Sequence, residues 1–242
     1  MLGMITLWNI LFYKPLYNAL VILVNNLPNH SLFFAVIVLT IVVRLIISPL
    51  SYKSIKTQLK TKALQPKLQE IKKTISDKQE QAKQTIELYK KNGVNPFSRF
   101  LLILVQFPII IALYWVFKDG GVEVDPGILY SFVHFPEMIF SRGFGLDLVE
   151  KSYVLAFLVG LTQYIYLSIS AGFRSQSSEG QSDQEKMMAM VGKSMKYTMP
   201  IMVTIFSYII GGAVALYWLT SNLFMIFQEK YIQNKLRNEN QA

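Results

Sequence analysis

One arginine, Arg44, stands inside the stretch TIVVRLIISP (40–49), and from Leu32 to Leu50 the chain holds no other charge. A guanidinium keeps its proton at any physiological pH, and placing one at the centre of a membrane helix costs ~2.5–3.5 kcal/mol on insertion scales. The chemistry open to such a group is attraction of anions or retention of water inside the bilayer. A carboxylate partner would make Arg44 an ordinary interhelical salt bridge. Yet the apolar stretches contain no Asp and no Glu, and Glu229, just past the last of them, is the nearest. Neutral polar residues do recur there: Thr40, Ser48, Gln106, Thr162, Gln163, Thr204, Thr220, Ser221 and Asn222. Singly, each is interhelical glue. Together they can line the wet face that an unpaired Arg44 requires, with Gln106, Ser221 and Asn222 as candidates for that lining.

Other chemistries lack their residues. The chain has no cysteine, which removes thiolate metal sites and cysteine nucleophiles. His30 and His134 fall outside the apolar stretches, so no histidine or carboxylate relay of a proton pump is in place. A cation channel would need a ring of acids. No Ser/His/Asp set, HExxH pair or glycine-rich phosphate loop occurs. Neither an enzyme, a metal site nor a cofactor is expected.

The elements that must position Arg44 are membrane spans. Of 242 residues 52% are hydrophobic and 16% charged, against about a quarter charged in soluble domains. Apolar runs cover 31–52, 97–117 and 152–170, and a fourth covers 198–227. As one helix the fourth would reach about 45 Å, too long for a ~30 Å core. Gly211-Gly212 at its middle invites a turn, giving helices over 196–210 and 213–228. On the first span Arg44 lies about 18 Å beyond Leu32 and about 12 Å before Tyr52.

Positive charge sets the orientation. Twelve Lys/Arg lie from Lys53 to Arg99, four from Arg174 to Lys196, and three in the tail, against Lys14, Lys118, Arg142 and Lys151 elsewhere. Only an odd number of spans returns the basic tail to the side of the basic 53–96 segment, so five are expected, N-terminus out and C-terminus in. The same bias accounts for the net charge of +9 without nucleic-acid binding.

An all-α membrane protein is therefore expected, with further segments around the spans. Residues 1–30 read as an amphipathic helix on the outer face, its stripe Leu16, Leu20, Leu23, Val24 and Leu27, with Asn18 and Asn25 off it. No cleaved signal peptide fits there. Residues 53–96 read as a two-helix cytoplasmic hairpin, with a capping box at Ser76-Asp77-Lys78-Gln79 and a stop at Asn92-Gly93. It is either a solvated connector or a docking arm for anionic lipid heads and incoming chains, with Lys56, Lys60, Lys62, Lys72 and Lys73 as the contacts. An outer loop (118–151), an inner loop (171–195) and a short tail (229–242) complete the chain.

Three stretches carry a resemblance: LTIVVRLIISPLSYKSIKTQLKTKALQPKLQEIKK, LYKKNGVNPFSRFLLILVQFPIIIALYWVF and ALYWLTSNLFMIFQEKYI. In combination, over about Tyr13 to Gln233, they resemble the YidC/Oxa/Alb family of membrane-protein insertases. The resemblance implies five spans around a hydrophilic groove closed to the outside and open to cytoplasm and lipid, in a bacterial cytoplasmic membrane. It places the groove charge at Arg44 and further groove positions at Thr40, Gln163 and Trp218. It implies substrates that are nascent membrane proteins, action alone or beside the Sec translocon, and no nucleotide hydrolysis. No large extracytoplasmic domain and no long basic tail are evident, so ribosome tethering by the tail is not expected. Outside the family, the residues leave open a small anion or solute transporter, with Arg44 in its pore, and a structural membrane subunit.

Overall fold

The computed structural model describes residues 7–95, 98–117, 124–134, 136, 138–170 and 183–239. Of the expected inner loop (171–195), residues 171–182 lie outside them, as do the first residues of the outer loop (118–123) and the last three of the tail; residues 183–195 are helical and continue into the helix expected over 196–210. A π-turn, Asn9–Tyr13, leads into α1 (Lys14–Asn26), followed by α2 (Leu32–Ala63), α3 (Gln65–Thr74), α4 (Lys78–Lys91) and α5 (Ser98–Phe117). After a hairpin of β1 (Arg142–Gly143) and β2 (Leu146–Asp147) come α6 (Tyr153–Ile169), α7 (Asp183–Ile210) and α8 (Gly212–Glu239).

Among the described residues one helix, Leu32–Ala63, is long and apolar enough to cross a membrane. Val105–Phe117, Tyr153–Ile169 and Lys196–Ile210 are apolar but shorter. At 17 residues, α6 reaches about 26 Å.

Several boundaries differ from the sequence reading, each for a local reason. The first apolar helix does not end at Tyr52. It runs on to Ala63 with Pro49 inside it, because nothing between Leu50 and Ala63 breaks a helix. The break comes at Leu64, where Pro66 takes the first turn of α3, a position that needs no N–H. The expected hairpin is thus the end of α2 plus α3 and α4. Asp77, rather than Ser76, caps α4 through the Gln79 N–H at 3.0 Å, which puts Glu80 three residues on, as a capping box requires. Gly93, at φ +60°, closes α4, and Gly211, at φ +121°, joins α7 to α8; both turns lie where the glycines predict them.

The expected apolar stripe of α1 is rotated. Its buried residues are Tyr17, Asn18, Leu20, Val21 and Val24, packed against α2 and α5. Asn18 is inside because its amide donates to Lys14 O (2.8 Å) and Ile128 O (3.1 Å) while its oxygen accepts the Tyr130 N–H (2.7 Å). A polar residue thus sits on the buried face because it satisfies backbone groups of the 124–134 segment.

The expected tail is helical too. In α8, Ile232 and Leu236 pack with Ile55, Tyr52 and Leu59 of α2 in a small cluster, separate from the main core of α1, α2, α5, α6, α7 and α8.

Contacts along the helices fix their directions. Ser48 meets Gln228, and further along Ile55 meets Ile232 and Leu236, so α2 and α8 are parallel. Asn222 bonds Val159 O, and Gln233 bonds Ile169 O, so α6 is parallel to both. α7 runs against α6: Tyr208 stacks on Tyr153 with ring centroids 4.4 Å apart, and Tyr197 lies 6.0 Å from Tyr164.

Candidate functional site

Arg44 is 8% exposed on α2. Its Nε is buried without a hydrogen-bond partner, and among the described residues it forms no salt bridge. One turn earlier Thr40 is buried, its hydroxyl donating to Val36 O at 2.6 Å, so it presents its methyl and a remaining lone pair. The Ser48–Gln228 bond (2.7 Å) sets the register of α2 on α8. Four residues before Ser48, Arg44 on this register is level with the α8 turn at Phe224.

Two polar residues just before Phe224 are enclosed. Ser221 and Asn222 are both 0% exposed. The Asn222 amide donates to Val159 O and Thr162 Oγ1, each at 3.2 Å, which ties α8 to α6. Its Oδ1, the Ser221 Oγ and the Gln163 Oε1 on α6 are all buried without a partner. Four helix-borne polar groups, on α2, α6 and α8, thus share one property: a buried atom whose hydrogen bond is unmade, a condition costing ~1–3 kcal/mol each for a neutral group. Native proteins keep such atoms where water, a ligand or a function supplies the partner.

The other expected residues fall differently. Gln106 on α5 is engaged, donating to the Tyr217 hydroxyl at 2.8 Å, so it braces α5 on α8. Trp218 is half-buried and packs on the main core. Of the lysines, Lys56, Lys60 and Lys62 are exposed on the end of α2. On α3 Lys73 is exposed, while Lys72 is partly buried and desolvation lowers its pKa. They lie on two successive helices. Among the described residues no group of three or more His, Cys, Asp or Glu side chains is placed to hold a metal.

Sequence reasoning missed the layer beneath Arg44. Glu229, read as lying at the edge, is 1% exposed and accepts the Gln233 amide at 2.7 Å. Gln233 also donates to Ile169 O at 3.0 Å, and with Gln228–Ser48 this makes a polar brace across α2, α6 and α8. The Glu229/Gln233 spacing of four was the available signal, hidden because the segment read as a tail.

The family model described as 60Kd inner membrane protein matches residues 23–240. A "Membrane protein insertase YidC" of Oceanobacillus iheyensis is 32% identical over 95% of this chain and 85% of its own length. A protein of the same name from Fusobacterium nucleatum is 33% identical over 92% of this chain and 97% of its own. One from Clostridium tetani is 30% identical over 96% and 94%.

Proposed function

The chain belongs to the 60Kd inner membrane protein family, that of the YidC/Oxa/Alb proteins, and on this premise we propose that it is a membrane-protein insertase. The observation that carries the mechanism is the set of unmade hydrogen bonds at Arg44, Gln163, Ser221 and Asn222 on three parallel helices. In this reading they face a hydrated groove in the inner half of the bilayer, with Thr40 and Trp218 on its walls. The parallel course of α2, α6 and α8 supports five alternating spans, since the first, third and fifth then share a direction.

The hydrophilic end of a substrate enters the groove, where Arg44 and the unpaired amides replace part of its water. Only the remaining half of the bilayer is left to cross. The substrate's own span then leaves into lipid: about fifteen Leu-like residues at ~−0.3 to −0.6 kcal/mol each supply about −5 to −9 kcal/mol. That offsets two or three charges at ~2.5–3.5 kcal/mol apiece, so short tails need no nucleotide hydrolysis. Longer tails call for the Sec translocon. Lys56, Lys60, Lys62 and Lys73 attract anionic headgroups, ribosomal surfaces or emerging chains, at ~1 kcal/mol per cation near a charged membrane surface.

The test is site-specific photocrosslinking from position 40 or 218 during synthesis of a short-tailed, single-span substrate. Adducts at both positions, absent with a secretory chain, are expected. No adduct, together with anion flux through the purified protein in sealed vesicles, would replace the insertase with a transporter.

A further inference from the structure

The β-hairpin between α5 and α6 has a tip that is poorly suited to water. Its two turn residues, Phe144 and Gly145, both have positive φ, +52° and +75°. Two-residue hairpins of this kind favour Asn-Gly, because only small or polar residues tolerate the left-handed region. Here a phenylalanine occupies it with 80% of its surface exposed. Both the backbone strain and the exposure are unfavourable in water, which calls for an apolar neighbour at the tip.

The hairpin is held firmly. Leu32 N–H donates to Phe140 O (3.0 Å) and Phe140 N–H to His30 O (3.1 Å). A Cβ on Gly143 would stand 2.7 Å from the Phe33 ring, so the strand lies directly on the first turn of α2. On its other side Gly212 N–H donates to Glu150 O and Ala213 N–H to Leu148 O, both at 3.0 Å. The segment is therefore a collar joining the starting ends of α2, α6 and α8.

The Phe144 ring continues the apolar outer face of those helices. It lies 5.2 Å from Phe33 and 6.1 Å, edge-on, from Phe34, and Phe34 is 45% exposed on α2. Tyr153 and Phe157 are exposed at the start of α6. Charged groups flank this aromatic rim: Arg142, with a side chain 82% exposed and paired with Asp147 at 2.9 Å, and the exposed Glu150 and Lys151. An aromatic rim with charged groups beside it matches a bilayer boundary, where rings sit at headgroup level.

We propose that the Arg142–Asp147 hairpin seats Phe144 in the headgroup-to-acyl boundary of the bilayer and so fixes the depth at which α2 carries Arg44. Twelve residues below Leu32, Arg44 then lies about 18 Å from that boundary, past the middle of a ~30 Å core. The proposal rests on the membrane reading of α2 given above.

Because the chain has no cysteine, single-cysteine variants can be nitroxide-labelled directly in phosphatidylethanolamine/phosphatidylglycerol vesicles. Phe144→Cys is compared with Ile46→Cys, 71% exposed on α2, and with Gln79→Cys at the exposed start of α4. The ratio of oxygen to nickel-chelate collisions at 144 should be several-fold above that at 79 and below that at 46. A ratio equal to that at 79 overturns the proposal, and so does suppression of both collisions, which would mean that protein covers the tip. If the label at 46 also reads as water, the membrane reading falls with it; lipid at 46 and water at 144 sinks the hairpin proposal alone. Phe144→Asn suits the turn and keeps the hairpin folded. Added to Ile46→Cys it should change the ratio at 46, and an unchanged ratio refutes the depth-setting role.

Discussion

Arg44 is informative because of what surrounds it. A buried ion pair loses ~3–5 kcal/mol when one partner is removed, because the other charge is stranded. Arg44 has no such partner among the described residues, so Arg44→Met should leave thermal stability in detergent unchanged or raise it. The same variant, like Arg44→Ala, should lower insertion of an acidic-tailed substrate by about tenfold or more, equivalent to 1.4 kcal/mol. If the groove is wet, Arg44→Lys should retain more activity than Arg44→Ala, because charge and hydration then matter more than the guanidinium fork. Protease protection of the substrate in proteoliposomes reads all three. Stability and activity that fall together would make Arg44 a packing residue. Outside the spans, Asp147 titrates at the collar. Its hydrogen bond from Arg142 (2.9 Å), with that of Ser141, holds its carboxyl below the usual range. A depressed carboxylate pKa stabilises above its unfolded value and stops doing so as pH falls through the folded one. Hairpin order should therefore be constant at neutral pH and decline below about pH 4, seen as growing mobility of a label at Val149→Cys. Asp147→Asn should abolish the pH dependence.

At the scale of elements, two glycines stand at close approaches of different kinds. Around Gly212 an added Cβ would meet backbone on three sides: Glu150 O at 2.9 Å, and Asp147 O and Leu148 Cα each at 3.0 Å. At Gly160 the nearest obstacle is the Thr204 hydroxyl, which can rotate away at the cost of its bond to Pro200 O. Gly212→Ala should thus destabilise by ~1–3 kcal/mol, as overpacking does, and Gly160→Ala by less, as measured by thermal unfolding in detergent. The reverse order would mean that the collar yields more readily than the α6–α7 contact. Element lengths were only partly legible. Glycine turns at 93 and 211 announce themselves by residue type. The continuity of α2 through Tyr52 does not, because a change from apolar to charged residues alters a helix's solvent and not its backbone.

At the scale of the molecule, α2, α6 and α8 converge on one polar layer, and α7 runs the other way. If the groove takes up acidic tails and releases them outward, a potential positive outside assists by ~2.3 kcal/mol per fully crossing charge per 100 mV. Imposing such a potential on vesicles should speed insertion of acidic-tailed substrates and slow that of basic-tailed ones. Equal response of the two would argue against transfer of the tail across the field. The site itself was half legible. Arg44, Gln163, Ser221 and Asn222 were identifiable as polar residues in apolar runs, and all four keep an unmade hydrogen bond. Gln106 read identically in sequence, but Tyr217 supplies it with a partner. Glu229 and Gln233 did not read as part of the interior at all.

The sequence by itself determined a mainly helical membrane chain, the one charge inside its first apolar run and the glycines where it must turn, because these follow from residue type and spacing along a single helix. The tertiary structure decided which polar groups are satisfied and which are not, that Asn18 faces inward, that the expected tail is a packed helix, and that an exposed phenylalanine crowns the collar. Hydrogen-bond satisfaction depends on residues tens to hundreds of positions apart. No local pattern encodes it, whereas packing of α2, α6 and α8 does.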